Sequence, residues 1–268
     1  MQGQFWGEAT LEVLARAGIE HGMRVLDLGS GAGDVAMLVA SLVGETGSVL
    51  GIDRAVAAVE AANQRVVAAG LTNVEFRTGS IENLELEDSF DAVVGRLVLM
   101  YLKDPAASLG AIARRLLKRP GIVAFMEFDM EAARQVPTVP LINDAAGWIR
   151  ETFRRAGNSP TLGPRLPQVF RAAGLPEPQL IARARIQVAP AIECTQYTTA
   201  TIRSLLPMME QLGVVRADEV KIDTLARRMQ EALVAADASL IMPTLIGAWA
   251  RLPESSVKES AMAASPGP

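Results

Sequence analysis

Residues Val25-Leu26-Asp27-Leu28-Gly29-Ser30-Gly31-Ala32-Gly33-Asp34 form an apolar run that breaks into three alternating glycines. This pattern reads as a buried strand that ends in a tight turn and opens a helix, half of a strand–helix–strand unit. A second apolar run, Gly47 to Asp53, ends on a carboxylate. Glycines at 29, 31 and 33 let a ligand lie against the main chain where a Cβ would obstruct it. An acid closing the second strand can accept hydrogen bonds from both hydroxyls of a ribose, so Asp53 is the expected sugar anchor. Together these residues predict a site for a nucleotide-type cofactor.

The spacing discriminates among such cofactors. A dinucleotide fingerprint runs Gly-x-Gly-x-x-Gly with the pyrophosphate at the helix N-terminus, whereas this chain has Gly-x-Gly-x-Gly followed by Asp34. An acid there repels a pyrophosphate, which disfavours an NAD-dependent oxidoreductase. Asp27, near the end of the first strand, suits a cationic partner better than a phosphate. S-adenosylmethionine carries an adenosine, a sulfonium and an α-ammonium group, and no phosphate. It fits the pattern.

With these residues the chain resembles the class I S-adenosylmethionine-dependent methyltransferases, in the branch that acts mostly on small molecules. The resemblance runs through Met23 to Asp34, Gly47 to Asp53, Phe90 to Tyr101 with Asp104-Pro105, and Pro120 to Asp129. It continues in Trp148-Ile149-Arg150 through Phe153, Leu162-Gly163, Phe170 and Ala173-Gly174-Leu175. It implies an α/β fold: a Rossmann-like, doubly wound, seven-stranded, mostly parallel sheet with an antiparallel last strand and an inserted helical cap. It implies methyl transfer from S-adenosylmethionine to a small, fairly apolar organic molecule in secondary metabolism. The alternative is a cyclase or isomerase of the same fold that binds the cofactor and transfers no methyl.

The resemblance also assigns residues. Asp27, Gly29, Ser30, Gly31 and Gly33 fall on the methionine and ribose side, and Asp53 on the ribose hydroxyls. Arg54 either flanks the adenine or caps the next helix in solvent. Ser80 stands where relatives often have an Asp that binds the adenine amino group, and Ile81 supplies apolar contact to the ring. Arg96 and Leu97 lie where the family contacts the methionine portion and opens to substrate. Arg96 either binds a substrate carboxylate or pairs with a helix acid. Tyr101 is a substrate-facing wall or a core residue. Glu127 and Asp129 are expected to face the substrate and, with Arg96, are the candidates for a catalytic role. Relatives usually carry a further upstream segment that helps cover the cofactor, and the chain is expected to begin late in it.

Apolar periodicity predicts a leading helix over 5–18, then strands near 24–28, 48–53, 73–77, 90–95 and 121–127 alternating with helices near 33–43, 55–69 and 104–117. Such alternation implies parallel strands with helices on both faces and a ligand beyond their C-terminal ends. Asp27, Asp53, Ser80, Arg96 and Glu127 should therefore converge on one rim. After residue 130 the pattern predicts helices over 141–156, 163–173, 195–212 and 217–236, a strand over 178–188 and a last apolar run from Leu240 to Trp249. One domain is expected, with residues 1–129 as the cofactor half, 130–253 as the substrate side, and 254–268 as a disordered tail.

Composition excludes some partners. With 26 basic against 30 acidic residues in 268, and no basic block, nucleic acid is not expected as a substrate. One cysteine, Cys194, and one histidine, His21, can build neither a disulfide framework nor a Cys/His metal site. No signal core or membrane-length apolar run is present, so a cytoplasmic monomer or homodimer without membrane contact is expected. His21 precedes the first strand and falls on the rim opposite the cofactor. Cys194 reads as an inert small hydrophobe.

Overall fold

The computed structural model describes residues 2–254. The expected tail lies outside the described residues except for Glu254. The leading helix, α1 (Gln2–Ala17), precedes the alternating series β1 (Arg24–Leu28), α2 (Asp34–Val43), β2 (Ser48–Asp53), α3 (Val56–Ala68), β3 (Val74–Thr78), β4 (Phe90–Arg96), α4 (Pro105–Leu116) and β5 (Leu117–Asp129). These elements form where periodicity placed them. The start of α4 shows the local reason: Asp104 accepts a hydrogen bond from the Ala107 amide at 2.9 Å, and Pro105 fills the first helical position.

The second half comprises β6 (Arg134–Val136), α5 (Pro140–Arg155), α6 (Leu166–Ala172), β7 (Gln179–Arg183), β8 (Ile186–Gln187), α7 (Glu193–Gln211), α8 (Ala217–Val220), α9 (Ile222–Ala235), β9 (Ser239–Ile241) and β10 (Thr244–Leu252). Seven strands form one sheet in the order β3-β2-β1-β4-β5-β10-β7, and β10 runs antiparallel to both its neighbours. The seven-stranded, mostly parallel sheet with an antiparallel last strand is as expected. β1, β4 and most of β5 are buried on both faces, as parallel strands covered by helices require.

Two expected continuous strands are each split. The run 178–188 breaks between β7 and β8, and the run from Leu240 breaks at Met242-Pro243. The pieces β6, β9 and β8 pair into a separate three-stranded sheet. Proline has no amide to donate to a ladder, so Pro243 marks the point where the chain leaves one sheet for the other. Arg185 pins the other break: its Nη1 donates to the Phe5 carbonyl at 2.7 Å, and its guanidinium lies 4.2 Å from the centre of the Phe5 ring. The expected helix over 217–236 is also divided, at Lys221, whose φ is +49°. Among the described residues no helix is long and apolar enough to cross a membrane.

Candidate active site

The glycine turn sits at the C-terminal end of β1, between β2 and β4 in the sheet. Gly29 adopts φ +66°, and a Cβ on it would lie 2.2 Å from Cγ2 of Val98. Asp53, closing β2, accepts hydrogen bonds from the Gly31 amide at 2.8 Å and the Ala55 amide at 2.9 Å. The carboxylate thus locks the turn and retains lone pairs for a ligand. Alanine at 53 is expected to weaken binding of S-adenosylhomocysteine by roughly ten- to a hundredfold, about 1.5–3 kcal/mol for hydrogen bonds to a charged acceptor. Isothermal titration calorimetry checks this, and an unchanged affinity would remove Asp53 from the binding site.

Two adjoining cavities open on this rim. A cavity of about 200 Å³ is bordered by Gly29, Asp53, Arg54, Ser80, Ile81 and Leu97, among others. One of about 260 Å³ is bordered by Gly29, Ser30, Gly31, Arg96 and Leu97, and by residues of the second half of the chain. Gly29, Leu97 and Tyr101 border both. Ser80 donates from Oγ to Glu82 Oε2 at 3.0 Å, and Arg54 is exposed. Tyr101 packs against Phe153 with ring centres 6.1 Å apart, so it is a wall and not a core residue.

The charged residues divide sharply. Asp27 is fully buried, and neither carboxylate oxygen has a hydrogen-bond partner among the described residues. Burial pushes its pKa up to about 8, and Arg96 only partly opposes the shift. Arg96 borders the larger cavity with its side chain 6 % exposed, donates to Thr10 Oγ1 at 2.8 Å and lies 3.8 Å from Asp34. Burial pulls its guanidinium below its ordinary value. Asp34 is also held by Arg65 at 2.8 Å. Its charge is therefore largely compensated, and the glycine spacing carries more of the argument against a pyrophosphate than the acid does.

Glu127 and Asp129 do not do what was expected of them, since neither borders either cavity. Successive residues of a strand point to opposite faces. Phe128 and Met130 reach the larger cavity, so their acidic neighbours take the other side. Glu127 is fully buried, and its Oε1 accepts from the Val98 amide at 2.9 Å and the Leu99 amide at 2.7 Å. It clamps the turn after β4, where Leu97 is held at φ +56°. Burial pushes its pKa up to about 8 against the pull of those amides. Asp129 accepts from the Glu131 amide at 3.1 Å.

Gln135, Arg150, Tyr197, Thr198 and the segment Leu240–Pro243 border the larger cavity and were not singled out as site residues from the sequence. Their only signal was position on the faces of inserted segments. His21 lies before β1 and pairs with Thr46 Oγ1 at 3.1 Å, away from both cavities. Cys194 is buried, and its thiol is pushed up to about 11 by that burial. No group of three or more His, Cys, Asp or Glu among the described residues is arranged to hold a metal ion.

A family described as a methyltransferase domain matches residues 19–156, slightly more than half of the chain. The chain belongs to the class I S-adenosylmethionine-dependent methyltransferases. An arsenite methyltransferase of Aquipseudomonas alcaligenes is 41 % identical over 114 residues, which cover 40 % of this chain and 33 % of the relative. The YcgJ protein of Bacillus subtilis superposes with TM-score 0.53 at 20 % identity, over 91 % of this chain and 99 % of that one. The cyclase SpnF does so with TM-score 0.56 at 19 % identity, over 92 % and 81 %. These two likenesses are of fold. The chain spans between a third and about half of the length of the curated relatives it matches.

The methyltransferase site fits its cofactor on grounds internal to the structure. The turn offers open backbone at Gly31, where an added Cβ would meet nothing within 4 Å. Asp27, two residues before that turn, borders neither cavity itself, but a cationic ligand nearby would favour the charged form of its buried carboxyl, which has no hydrogen-bond partner among the described residues. Asp53 would offer ribose hydroxyls an acceptor.

Proposed function

We propose that the protein transfers a methyl group from S-adenosylmethionine to a small, mostly apolar organic acceptor. One observation carries this reading: two adjoining cavities share Gly29, Leu97 and Tyr101, one bordered by the acid at the end of β2, the other walled mainly by apolar side chains. The first is the adenosine end. The second takes the methionine end and the acceptor, with residues 130–253 as the acceptor side.

Bound there, the cofactor would supply a methyl carbon already activated by positive sulfur, so the protein's task is alignment and exclusion of water. Glu127 holds the turn after β4, next to the shared Leu97, at the Val98 and Leu99 amides. Arg96 keeps the glycine turn against α1 through Thr10 and Asp34. Holding two reactants in line accounts for about 7–11 kcal/mol of barrier, and no dedicated base is needed for that part.

Arsenite, the acceptor named for the Aquipseudomonas alcaligenes relative among others, meets no thiol in either cavity, since Cys194, the one cysteine of this sequence, is buried and borders neither. The setting in secondary metabolism belongs to the same proposal and depends on the acceptor.

Incubation with S-adenosylmethionine and a panel of phenols, amines and carboxylic acids, followed by mass spectrometry, is expected to show the gain of one methyl on at least one acceptor. Tight cofactor binding with no methylated product would overturn the reading. A converted product of unchanged formula would identify the cyclase or isomerase alternative instead.

A further inference from the structure

Among the described residues that border the larger cavity, Arg150 is the cation that the fold holds least firmly. Three ionised side chains border that cavity, Asp34, Arg96 and Arg150. Asp34 is held by Arg65 at 2.8 Å, and Arg96 donates to Thr10 Oγ1 at 2.8 Å. Arg150 has an ion pair but no hydrogen bond of that kind among the described residues. It lies on the face of α5 that carries Ala146, Ile149 and Phe153 to the same wall, and its side chain is 17 % exposed. Its acidic neighbour is Glu131, with Oε2 3.5 Å from Nε, and the other oxygen of Glu131 is already engaged by Arg154. Among the described residues no hydrogen bond takes up the terminal nitrogens of Arg150.

A guanidinium presents its donors as a rigid planar fork that matches a carboxylate in two-point contact. Placing it in an apolar wall without a full partner costs free energy that an anionic ligand would recover. Neutral hydrogen-bonding groups border the same cavity from other cap elements, among them Gln135 on β6 and Thr198 on α7. Gln135 is 7 % exposed and makes no side-chain hydrogen bond to another described residue. Side chains with donors not taken up in hydrogen bonds among the described residues thus arrive from α5, β6 and α7, in a wall that is otherwise largely apolar.

We infer that the acceptor is an amphipathic acid, an apolar body bearing a carboxylate that Arg150 grips, with Gln135 and Thr198 completing the polar contacts. The inference rests on the methyl-transfer reading for the term acceptor. Arg150 determines specificity here and takes no part in bond making.

The test is calorimetric titration of the protein loaded with S-adenosylhomocysteine, using naphthoate and cinnamate, each beside its matched primary alcohol and amine. Each acid is expected to bind at least about tenfold more tightly than its alcohol, with the amine weakest. Arg150→Ala is expected to erase that preference with the affinity for S-adenosylhomocysteine unchanged. Arg150→Lys is expected to keep part of it, as a point charge without the fork. Equal affinity for acid and alcohol, failure of both acids to bind, or an acid preference that survives Arg150→Ala would overturn the inference. The wild-type comparison needs no variant and decides the matter even if Arg150→Ala does not fold.

The two readings fail separately. Acid binding through Arg150 with no methylated product sinks methyl transfer alone. Methylation of neutral acceptors without acid preference sinks this inference alone.

Discussion

Alanine at position 29 is expected to abolish measurable cofactor binding and to lower the melting temperature by roughly 5–15 °C. Gly29 sits at φ +66°, where a side chain costs about 1–2 kcal/mol. The added Cβ would also lie 2.2 Å from Cγ2 and 2.7 Å from Cβ of Val98. Val98 cannot step aside cheaply. Its χ1 is stiff, and its amide and that of Leu99 are held by Glu127 at 2.9 and 2.7 Å. The turn must therefore move, and it carries the Gly31 amide away from Asp53. Overpacking of this kind adds about 1–3 kcal/mol. Gly31→Ala is the internal control for the stability effect alone, since its Cβ meets no protein atom within 4 Å and the backbone cost at φ +52° remains, while in the ligand site that Cβ is itself expected to weaken binding. Thermal unfolding and titration with S-adenosylhomocysteine measure both variants. Affinity retained in Gly29→Ala to within tenfold would show that the ligand does not lie on this turn.

Glu127→Ala is expected to destabilise the protein by about 2–6 kcal/mol and to weaken cofactor binding, because the buried Val98 and Leu99 amides lose their acceptor. Glu127→Gln keeps an oxygen in place and should retain most of the stability and affinity. The two variants also differ in pH response. The folded carboxyl has its pKa pushed up to about 8 from an ordinary 4.5, so between those values the unfolded chain releases a proton that the folded chain keeps. Stability therefore falls as pH rises through that window, by at most about 1.4 kcal/mol per pH unit for this group. Asp27, raised from 3.8 to about 8, adds a decline of the same sign. Glutamine at 127 should remove its own share and leave that of Asp27. Urea unfolding at several pH values across this window reads the slopes. A wild-type protein that gains stability from pH 5 to 8, or a Glu127→Gln variant as unstable as Glu127→Ala, would contradict this role.

The two outcomes at Glu127 and Asp53 show how the sequence informs a site unevenly. Asp53 was legible because its position is set locally: a strand must end there, and the turn after the adjoining strand β1 presents the Gly31 amide to it. Glu127 was equally legible as a residue at the end of a strand, but its face was not. The choice between cavity and clamp follows from which neighbour, Phe128 or Glu127, the cap draws toward the cavity. Gln135 lay in no recognisable pattern, and Arg150 lay within a stretch that carries the resemblance but had no role assigned, since the two come to border one cavity only after α5 and β6 have folded over the sheet.

The amino-acid sequence by itself determined the alternation of strands and helices, the glycine turn and the acid that anchors it. Each of these is a local matter of periodicity and backbone freedom within a few residues. Only the tertiary structure decided that β7 and β8 part company, that Pro243 sends the chain from the small sheet into the large one, and that Glu127 serves the backbone while Arg150 borders the cavity. Those outcomes depend on contacts between segments far apart in the chain, and on the cost of burying a charge without a partner, which no local pattern records.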